Sequence, residues 1–243
     1  MSASVRVAVF SDVHGNLPAL FAVLHDIDAH GPFDELVAAG DHCLNGPDPV
    51  ESLDTVLGRC SSVLIGNADR DIVDEGASDP ELGGKKRASI QWTREVLGDD
   101  RVQSLAGLAF ASRTVAPDGS ALLVVHANPH DIDRHIFPDM LDGDLDALVE
   151  GVEADVLAFG HLHIPFTRQH RGLLLANIAA CGLPRDGDRR AVWGEFNWTE
   201  AGGWACVTHR VAYDYGETVL RILDCGMPHP GRRIRDLVSA SYD

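Results

Sequence analysis

Five short apolar runs, each followed closely by a side chain that can bind a metal ion, constrain the fold of this chain more than any other feature. The runs are rich in Val, Leu, Ile and Ala and are bounded by Gly or polar residues, which is typical of buried strands. In α/β proteins, ligands bind at the carboxyl ends of the strands. We therefore expect the side chains behind these runs to meet at one sheet edge. The runs span residues 5–10, 36–39, 63–65, 122–125 and 156–159.

The side chains that follow these runs are carboxylates, an amide and imidazoles. Together these groups suit Mn²⁺, Fe or Zn²⁺, whereas softer ions prefer a set of thiolates. The sequence therefore predicts a metal centre. The candidate ligands are Asp12, His14, Asp41, Asn67, His126, His161 and His163.

Length and composition predict one large α/β domain. A chain of 243 residues can form a full core, and no stretch is typical of a linker between domains. No apolar stretch reaches the ~18–20 residues of a membrane helix, and the N-terminus lacks a secretory signal pattern. We therefore expect a cytoplasmic protein with no membrane partner. The five cysteines are scattered without a C-x-x-C pair, which favours reduced thiols.

The formal net charge of −17 bears on the class of partner. A surface this acidic repels polyanions beyond the screening length of ~8 Å at physiological salt. Long nucleic acid is therefore not an expected partner, because its binding needs a basic face that neutralises phosphates. The sequence leaves the oligomeric state open.

A first half of alternating strands and helices is followed by a strand-rich second half, which predicts two sheets packed face to face with helices outside. Residues 71–84 are polar and Gly-rich, and either a substrate lid or a plain surface insertion fits them. The tail beyond a core of about residues 5–224 is expected to be poorly ordered. The predicted helices lie near 17–29, 50–57, 88–97, 102–105, 145–152 and 216–223, and the later strands near 108–115, 121–125, 166–170, 173–176, 191–198 and 204–211.

The ligand motifs stand in a characteristic order. They read Asp12-x-His14, Gly40-Asp41, Gly66-Asn67, His126 and Gly160-His161-x-His163. Each motif alone is weak, but all of them in order, each behind a predicted strand, are specific. The chain resembles the calcineurin-like metallophosphoesterases from residue 5 to about residue 193. Within them it is most similar to the bacterial family of small single-domain phosphodiesterases and phosphatases.

This resemblance implies a single domain over residues 1–243 with an α/β (α+β) fold, a four-layer α/β/β/α sandwich of two packed mixed sheets. It implies two divalent metal ions, with Mn²⁺ as the first candidate and Fe, Zn²⁺ or Ni²⁺ as alternatives. By the same analogy Asp41 bridges the two ions. The remaining ligands divide into Asp12, His14 and His163 for one ion and Asn67, His126 and His161 for the other.

The function that the resemblance implies is metal-dependent hydrolysis of a small phosphate ester, with a nucleotide as one option. Two metal ions roughly 3.5–4 Å apart can activate a bridging hydroxide and stabilise both the attacking and the leaving oxygen. The sequence leaves open whether the substrate is a phosphodiester or a phosphomonoester. The resemblance also places Asn16 and Arg185 near the substrate.

One departure from the family pattern concerns catalysis. Ala68 occupies the position where the family usually has a His that is the proposed general acid. A positioned acid is typically worth ~10²–10⁴ in rate. We therefore expect a slower enzyme that prefers good leaving groups, unless another residue substitutes. His42 and His130, each near a ligand in the sequence, are the candidates.

A second hypothesis is a non-catalytic member of the same fold that serves as a scaffold or a sensor. Ala68 motivates this alternative, and the complete ligand set argues against it. Asp69 is expected to brace its loop rather than to act as an acid. The remaining histidines that we expect to be structural are His25, His30, His170, His209 and His229.

Overall fold

Two five-stranded mixed sheets form the centre of the molecule in the computed structural model. The structure describes residues 3–76 and 81–242. The strands in these residues are β1 (Ser4–Phe10), β2 (Glu35–Ala39), β3 (Ser62–Leu64), β4 (Ala111–Val115), β5 (Ala121–Val125), β6 (Val156–Phe159), β7 (Phe166–His170), β8 (Leu173–Asn177), β9 (Ala191–Thr199) and β10 (Gly203–Val211). The helices are α1 (Leu17–His30), α2 (Pro49–Arg59), α3 (Asn67–Val73), α4 (Gly84–Ala106), α5 (Asp142–Leu148), α6 (Tyr215–Asp224) and α7 (Pro230–Ser239).

The five predicted ligand-bearing strands divide between the two sheets. The first sheet has the order β10-β9-β1-β2-β3, with β1, β2 and β3 parallel. The second has the order β4-β5-β6-β8-β7, with β5, β6 and β8 parallel. Strands β1, β2 and β3 thus belong to one sheet, while β5 and β6 belong to the other. The expectation of a single sheet edge was wrong, because the ligands approach from two sheets.

Three apolar clusters lie between adjacent layers and pack them together. The inner cluster joins the two sheets and includes Val9 and Val37 of the first sheet and Leu122 and Ala158 of the second. A second cluster packs the outer face of the first sheet against α1, α2 and α4. A third packs the outer face of the second sheet against α5. Strands buried on both faces have near-continuous apolar runs. The predicted four-layer α/β/β/α arrangement is therefore confirmed.

Helix α1 begins directly after the loop that carries Asp12 and His14. The side chain of Asn16 caps it by accepting a hydrogen bond from the Ala19 N–H at 3.3 Å, and Pro18 occupies its first turn. One face of the helix is buried, which anchors it on the first sheet. Its N-terminus is thereby fixed next to the loop that follows β1.

The segment between β3 and β4 differs from its prediction. Residues 67–73 form α3, so part of the expected insertion is helical. Residues 77–80 lie outside the described residues. The two helices predicted near 88–97 and 102–105 are both present within the range of α4, and Gly98, where φ is +71°, separates them by a kink.

The C-terminal tail also differs, because residues 230–239 form the helix α7 instead of an irregular tail. Leu237 of this helix is buried with Ile222 and Met227 in a cluster of its own, and Ile234 packs against them. The sequence of this segment is rich in arginine, proline and glycine, so it does not show the apolar pattern of a packed helix. In the part of the chain that the structure describes, no helix is both long and apolar enough to cross a membrane.

Candidate metal centre

The structure brings all seven predicted ligands into one region between the two sheets. Loops after β1 and β2 supply three of them, the start of α3 supplies one, and the loops after β5 and β6 supply the rest. Hydrogen bonds join the two sheets here, since the backbone N–H of His161 donates to Oδ2 of Asp12 at 3.0 Å. The predicted ligands are Asp12, His14, Asp41, Asn67, His126, His161 and His163.

One half of the site is compact and buried. Ligand atoms of Asp12, His14, Asp41 and His163 all lie within 4.8 Å of one another. Nε2 of His163 lies 3.0 Å from Oδ1 of Asp12 and 3.1 Å from Nε2 of His14. Nε2 of His14 lies 3.7 Å from Oδ2 of Asp41. These four residues can hold one metal ion.

The other half is built around His126. Its Nε2 lies 3.0 Å from Oδ1 of Asn67 and 3.5 Å from Oδ1 of Asp41. The ring centroids of His126 and His161 are 5.0 Å apart. Asp41 therefore has Oδ2 facing one half and Oδ1 facing the other.

Backbone carbonyls set which imidazole nitrogen faces the site. A carbonyl only accepts, so the nitrogen beside it carries the proton and the other ring nitrogen has a free lone pair. For three of the histidines the proton is on Nδ1, which leaves Nε2 free. The acceptors are the carbonyls of Leu44 for His14, Ala39 for His126 and Leu183 for His163, at 2.8, 2.8 and 2.6 Å. His161 instead donates from Nε2 to the Asp133 carbonyl at 2.8 Å.

These proton positions test whether the residues fit a metal ion. Nε2 of His14, Nε2 of His163 and Oδ1 of Asp12 present lone pairs to one another. Oδ1 of Asp12 is buried and accepts no hydrogen bond from the residues that the structure describes. Electron-rich atoms held this close in a buried site repel one another unless a cation lies between them. The donor set therefore fits a metal ion.

Burial and neighbouring charges shift the pKa values of the ligands. Burial raises the pKa of Asp41 to about 7, and the carboxylates of Asp12 and Asp69 act in the same direction. Burial lowers the pKa of both His14 and His161 to about 3, so these imidazoles are neutral at pH 7. Neutral imidazole is the form that binds metals. A divalent cation would relieve the repulsion between the two ligand carboxylates.

The backbone of the ligands has an unusual conformation. Asp12, His14, Asp41, His161 and His163 all have positive φ, between 49° and 66°. Non-glycine residues seldom adopt this left-handed region, and it costs of order 1–3 kcal/mol per residue. The strain is tolerated because the flanking strands and hydrogen bonds hold each loop.

Two motif glycines are required by close contact. A Cβ on Gly160 would overlap Oγ of Ser11 and Oδ2 of Asp12. A Cβ on Gly66 would overlap the carboxylate of Asp41 and would lie 2.5 Å from the backbone nitrogen of the same residue. Glycine at these positions lets one ligand loop lie directly against another.

Asn16, predicted to contact the substrate, is buried and held by neighbours on every side. Its Nδ2 donates to the Gly182 carbonyl at 2.8 Å and lies 3.2 Å from the Tyr213 hydroxyl. Its Oδ1 accepts from Thr218 at 2.9 Å as well as from the α1 backbone. These contacts fasten α6 to α1, and a direct role in substrate binding stays a prediction.

His42 and His130, the candidate replacement acids, are both described, and neither lines the cavity at the metal centre. His42 is fully buried, with Nε2 donating to the Leu64 carbonyl at 2.8 Å. His130 is exposed on the loop after β5. Their catalytic role stays a prediction without geometric support.

His135 was missed by the sequence analysis. Its ring stacks on that of His161, with centroids 4.0 Å apart and planes 26° apart. The buried Asn128 folds this loop by donating to the Arg134 carbonyl at 2.8 Å. The spacing of the ligand motifs does not identify His135. A signal that the sequence does contain is the concentration of His, Asn and Asp residues after His126.

A cavity of about 170 Å³ opens at the ligands. Arg185 lines it, and its predicted contact with the substrate stays a prediction. Three further residues that the sequence analysis did not identify also line it, namely Lys86, Arg233 and Tyr242. Lys86 pairs with the buried Asp71 at 2.6 Å. The wall of the cavity is therefore basic, although the chain as a whole is strongly acidic.

Some histidines far from the cavity have the structural contacts expected of them. His209 stacks on Trp193 at 4.2 Å and donates to Glu195 at 2.9 Å. His30 lies beside it, and ligand atoms of Asp26, His30 and His209 lie within 4.8 Å of one another. His170 is buried and donates to a carboxylate of α5.

Comparison with known proteins agrees with this geometry. The chain is 29% identical over 239 residues to the uncharacterized protein MJ0912 of Methanocaldococcus jannaschii, covering 91% of this chain and 93% of that one. The crystal structure of a metallophosphoesterase from Sphaerobacter thermophilus is similar, with a TM-score of 0.77 and 25% identity, over 98% of this chain and 100% of that chain. The protein PH1004 from Pyrococcus horikoshii OT3 has the same fold, with a TM-score of 0.80 and 20% identity, over 98% and 100%.

A sequence profile of the calcineurin-like phosphoesterase superfamily domain matches residues 5–195. The match spans every predicted ligand. It covers both sheets, apart from the hairpin strand β10 and the end of β9. The buried group of Asp and His residues agrees with the metal dependence of this family of phosphoester hydrolases. The chain belongs to the calcineurin-like phosphoesterase superfamily.

Proposed function

We propose that this protein hydrolyses a small phosphate ester at a site that holds two divalent metal ions. The observation that carries the proposal is the close approach of Nε2 of His14, Nε2 of His163 and Oδ1 of Asp12 in a buried site, while backbone carbonyls occupy Nδ1 of both histidines. A structural polar cluster would instead match donors with acceptors. An arrangement of facing lone pairs is the one expected of ligands.

The ligand halves support two ions rather than one. Asp12, His14 and His163 would hold the first, with Oδ2 of Asp41 nearby. Asn67, His126 and His161 would hold the second, with Oδ1 of Asp41 on that side. This set of nitrogen and oxygen donors suits Mn²⁺ first, with Fe, Zn²⁺ or Ni²⁺ as alternatives. When bound, two such ions supply Lewis-acid activation of water and stabilise charge on phosphate oxygens.

The residues of the chain itself perform the remaining tasks. Arg185 lines the cavity with a charge that can bind phosphate oxygens. Ala68 lines it too, at the start of α3, and has no proton to give. We therefore infer that the enzyme favours leaving groups of low pKa, and the dependence of rate on leaving-group pKa tests this. A flat dependence across poor leaving groups would show that another group acts as the acid.

Turnover of bis(p-nitrophenyl) phosphate and of p-nitrophenyl phosphate with added Mn²⁺ tests the proposal. Asp41→Asn removes the shared charge with little change of shape, so we expect it to abolish turnover and to lower the number of Mn²⁺ ions bound per chain. Asp99→Asn, an exposed position in α4, is the matched control and should behave as wild type.

The alternative of a scaffold or sensor is favoured by Ala68 and by the position of His42 and His130 outside the cavity. It predicts Mn²⁺ binding without turnover of either ester. Absence of turnover with every divalent metal tested, by a protein that still binds metal, would establish this alternative and reject the hydrolase.

A further inference from the structure

Two arginines form part of the cavity wall beside the metal ligands. Arg185 lies in the loop between β8 and β9, and Arg233 lies near the start of α7. Their side chains are 14% and 12% exposed. Both guanidinium groups are therefore largely shielded from water while they border the same cavity.

Their charges are only partly compensated. Nη1 of Arg185 lies 3.6 Å from Oδ1 of Asp236, and Nη1 of Arg233 lies 3.2 Å from Oδ2 of the same residue. Asp236 is the one carboxylate paired with them in the part of the chain that the structure describes. Two positive charges and one negative charge leave a net charge of about +1 in this largely buried part of the cavity wall. This net charge favours the binding of an anion.

The charges of the pair act on each other. Burial lowers the pKa of Arg233, the Asp236 carboxylate opposes this shift, and the positive charges of Arg232 and Arg185 act in the same direction as burial. On the far wall the charge of Lys86 is matched by Asp71. The unmatched positive charge of the cavity wall is therefore concentrated at the arginine pair.

Arg185 is fixed relative to the metal ligands. The backbone N–H of Arg185 donates to the His163 carbonyl at 2.9 Å, and its Nη1 donates to the Ser241 carbonyl at 2.8 Å. Tyr242 donates to the Leu162 carbonyl at 2.6 Å, and its ring lies 5.4 Å from the Arg185 guanidinium. The C-terminal segment thus holds Arg185 against the loop that carries His161 and His163, and Asp236 pairs Arg185 with Arg233.

We propose that Arg185 and Arg233 form an anion subsite that selects substrates with a doubly charged phosphate, so that the substrate class is the phosphomonoester rather than the phosphodiester. A monoester has a third non-bridging oxygen and a second negative charge that a diester lacks. Guanidinium groups bind such oxygens in a bidentate manner. This inference rests on the proposed function.

The experiment compares two substrates and two variants. In Arg233→Gln and Arg185→Gln we expect kcat/KM for p-nitrophenyl phosphate to fall about 10- to 100-fold, mainly through KM, as for loss of a hydrogen bond to a charged group. The value for bis(p-nitrophenyl) phosphate should change less than about threefold. Arg235→Gln removes the same charge from an exposed position of α7 and should leave both values unchanged.

Calorimetric titration of the Mn²⁺-loaded protein with inorganic phosphate gives a readout that does not depend on turnover. Binding should weaken about 10- to 100-fold in Arg233→Gln. Asp236→Asn removes the compensating carboxylate and should tighten binding, which mere damage to α7 would not do. If wild-type protein turns over neither ester, the proposed function fails, while this titration still tests the subsite. Equal losses on both esters, or unchanged phosphate affinity in Arg233→Gln, would overturn the inference.

Discussion

The carboxylate of Asp69 accepts hydrogen bonds from the backbone N–H groups of Asp41 and His42, at 2.7 and 2.9 Å. The same carboxylate accepts from the N–H of Gly66 at 2.9 Å. It is fully buried and joins the loop after β2 to the start of α3. The prediction that Asp69 braces its loop is confirmed, and what it braces is the residue proposed to bridge the two metal ions.

Replacing Asp69 by Asn should weaken both folding and metal binding. The amide has one acceptor oxygen, so at least one of the three buried N–H groups loses its partner, at a cost of about 1–3 kcal/mol. Urea denaturation of the metal-free protein and calorimetric titration with Mn²⁺ measure the two effects. Asp99→Asn, an exposed position, should change neither. Wild-type stability in Asp69→Asn would contradict the bracing role.

Removing the ring that stacks on His161 should loosen that ligand. Aromatic pairs contribute about 0.5–1.5 kcal/mol beyond their area, so His135→Ala should lower the affinity of the proposed Mn²⁺ site that includes His161 roughly 2- to 10-fold. His135→Phe keeps a stacking ring and should retain most of the affinity. Equal affinities of the two variants, measured by calorimetry, would show that stacking at 4.0 Å does not position His161.

Gly160 should tolerate no side chain. A methyl group there overlaps Ser11 and Asp12, so Gly160→Ala must displace a ligand loop and should cost about 1–3 kcal/mol or more, with loss of metal binding. Gly58→Ala is the matched control, because a Cβ at this position in α2 meets nothing within 4 Å. It should stabilise the protein by up to about 1 kcal/mol through helix propensity. Thermal unfolding of both variants, with and without Mn²⁺, distinguishes these outcomes.

Glu195 should make the free energy of unfolding depend on pH in the acid range. Burial acts to raise its pKa, but hydrogen bonds from Arg6, Asn197 and His209 outweigh it and lower the pKa from 4.5 to about 2. A pKa depressed by folding stabilises the protein above pH 4.5, and this stabilisation is lost as the pH falls from about 4.5 towards 2.

Wild-type protein should therefore lose on the order of 2 kcal/mol more stability than Glu195→Gln between pH 6 and pH 3. Chemical denaturation at the two pH values measures the difference. Glu200→Gln, an exposed position at the end of the same hairpin, should show the wild-type dependence. Parallel behaviour of wild type and Glu195→Gln would reject the assignment.

Local patterns explain what could be predicted. Each candidate metal ligand lies within four residues of the end of a buried strand or begins a helix, so the apolar runs locate it without knowledge of the fold. The periodicity of α1, with its Asn16 cap, is likewise a local signal. Helix α7 escaped prediction because its stability comes from contacts of Leu237 with Ile222 and Met227, which lie in other segments.

His42 and His135 show the limit of such patterns. His42 adjoins a ligand in the sequence, yet its ring turns away to the Leu64 carbonyl. His135 is nine residues from the nearest ligand, and its ring stacks on His161. The direction of a side chain at a strand end depends on the loop conformation, which hydrogen bonds from distant segments impose.

The sequence by itself determined the set of candidate metal ligands, their order and the layered α/β architecture, because strand ends and apolar periodicity are properties of neighbouring residues. Only the tertiary structure decided that the ligands come from two sheets, which imidazole nitrogens face the site, and that Arg233 of α7 joins Arg185 at the cavity. These features depend on backbone carbonyls, charges and apolar contacts between residues far apart in the chain, and packing alone brings such groups together.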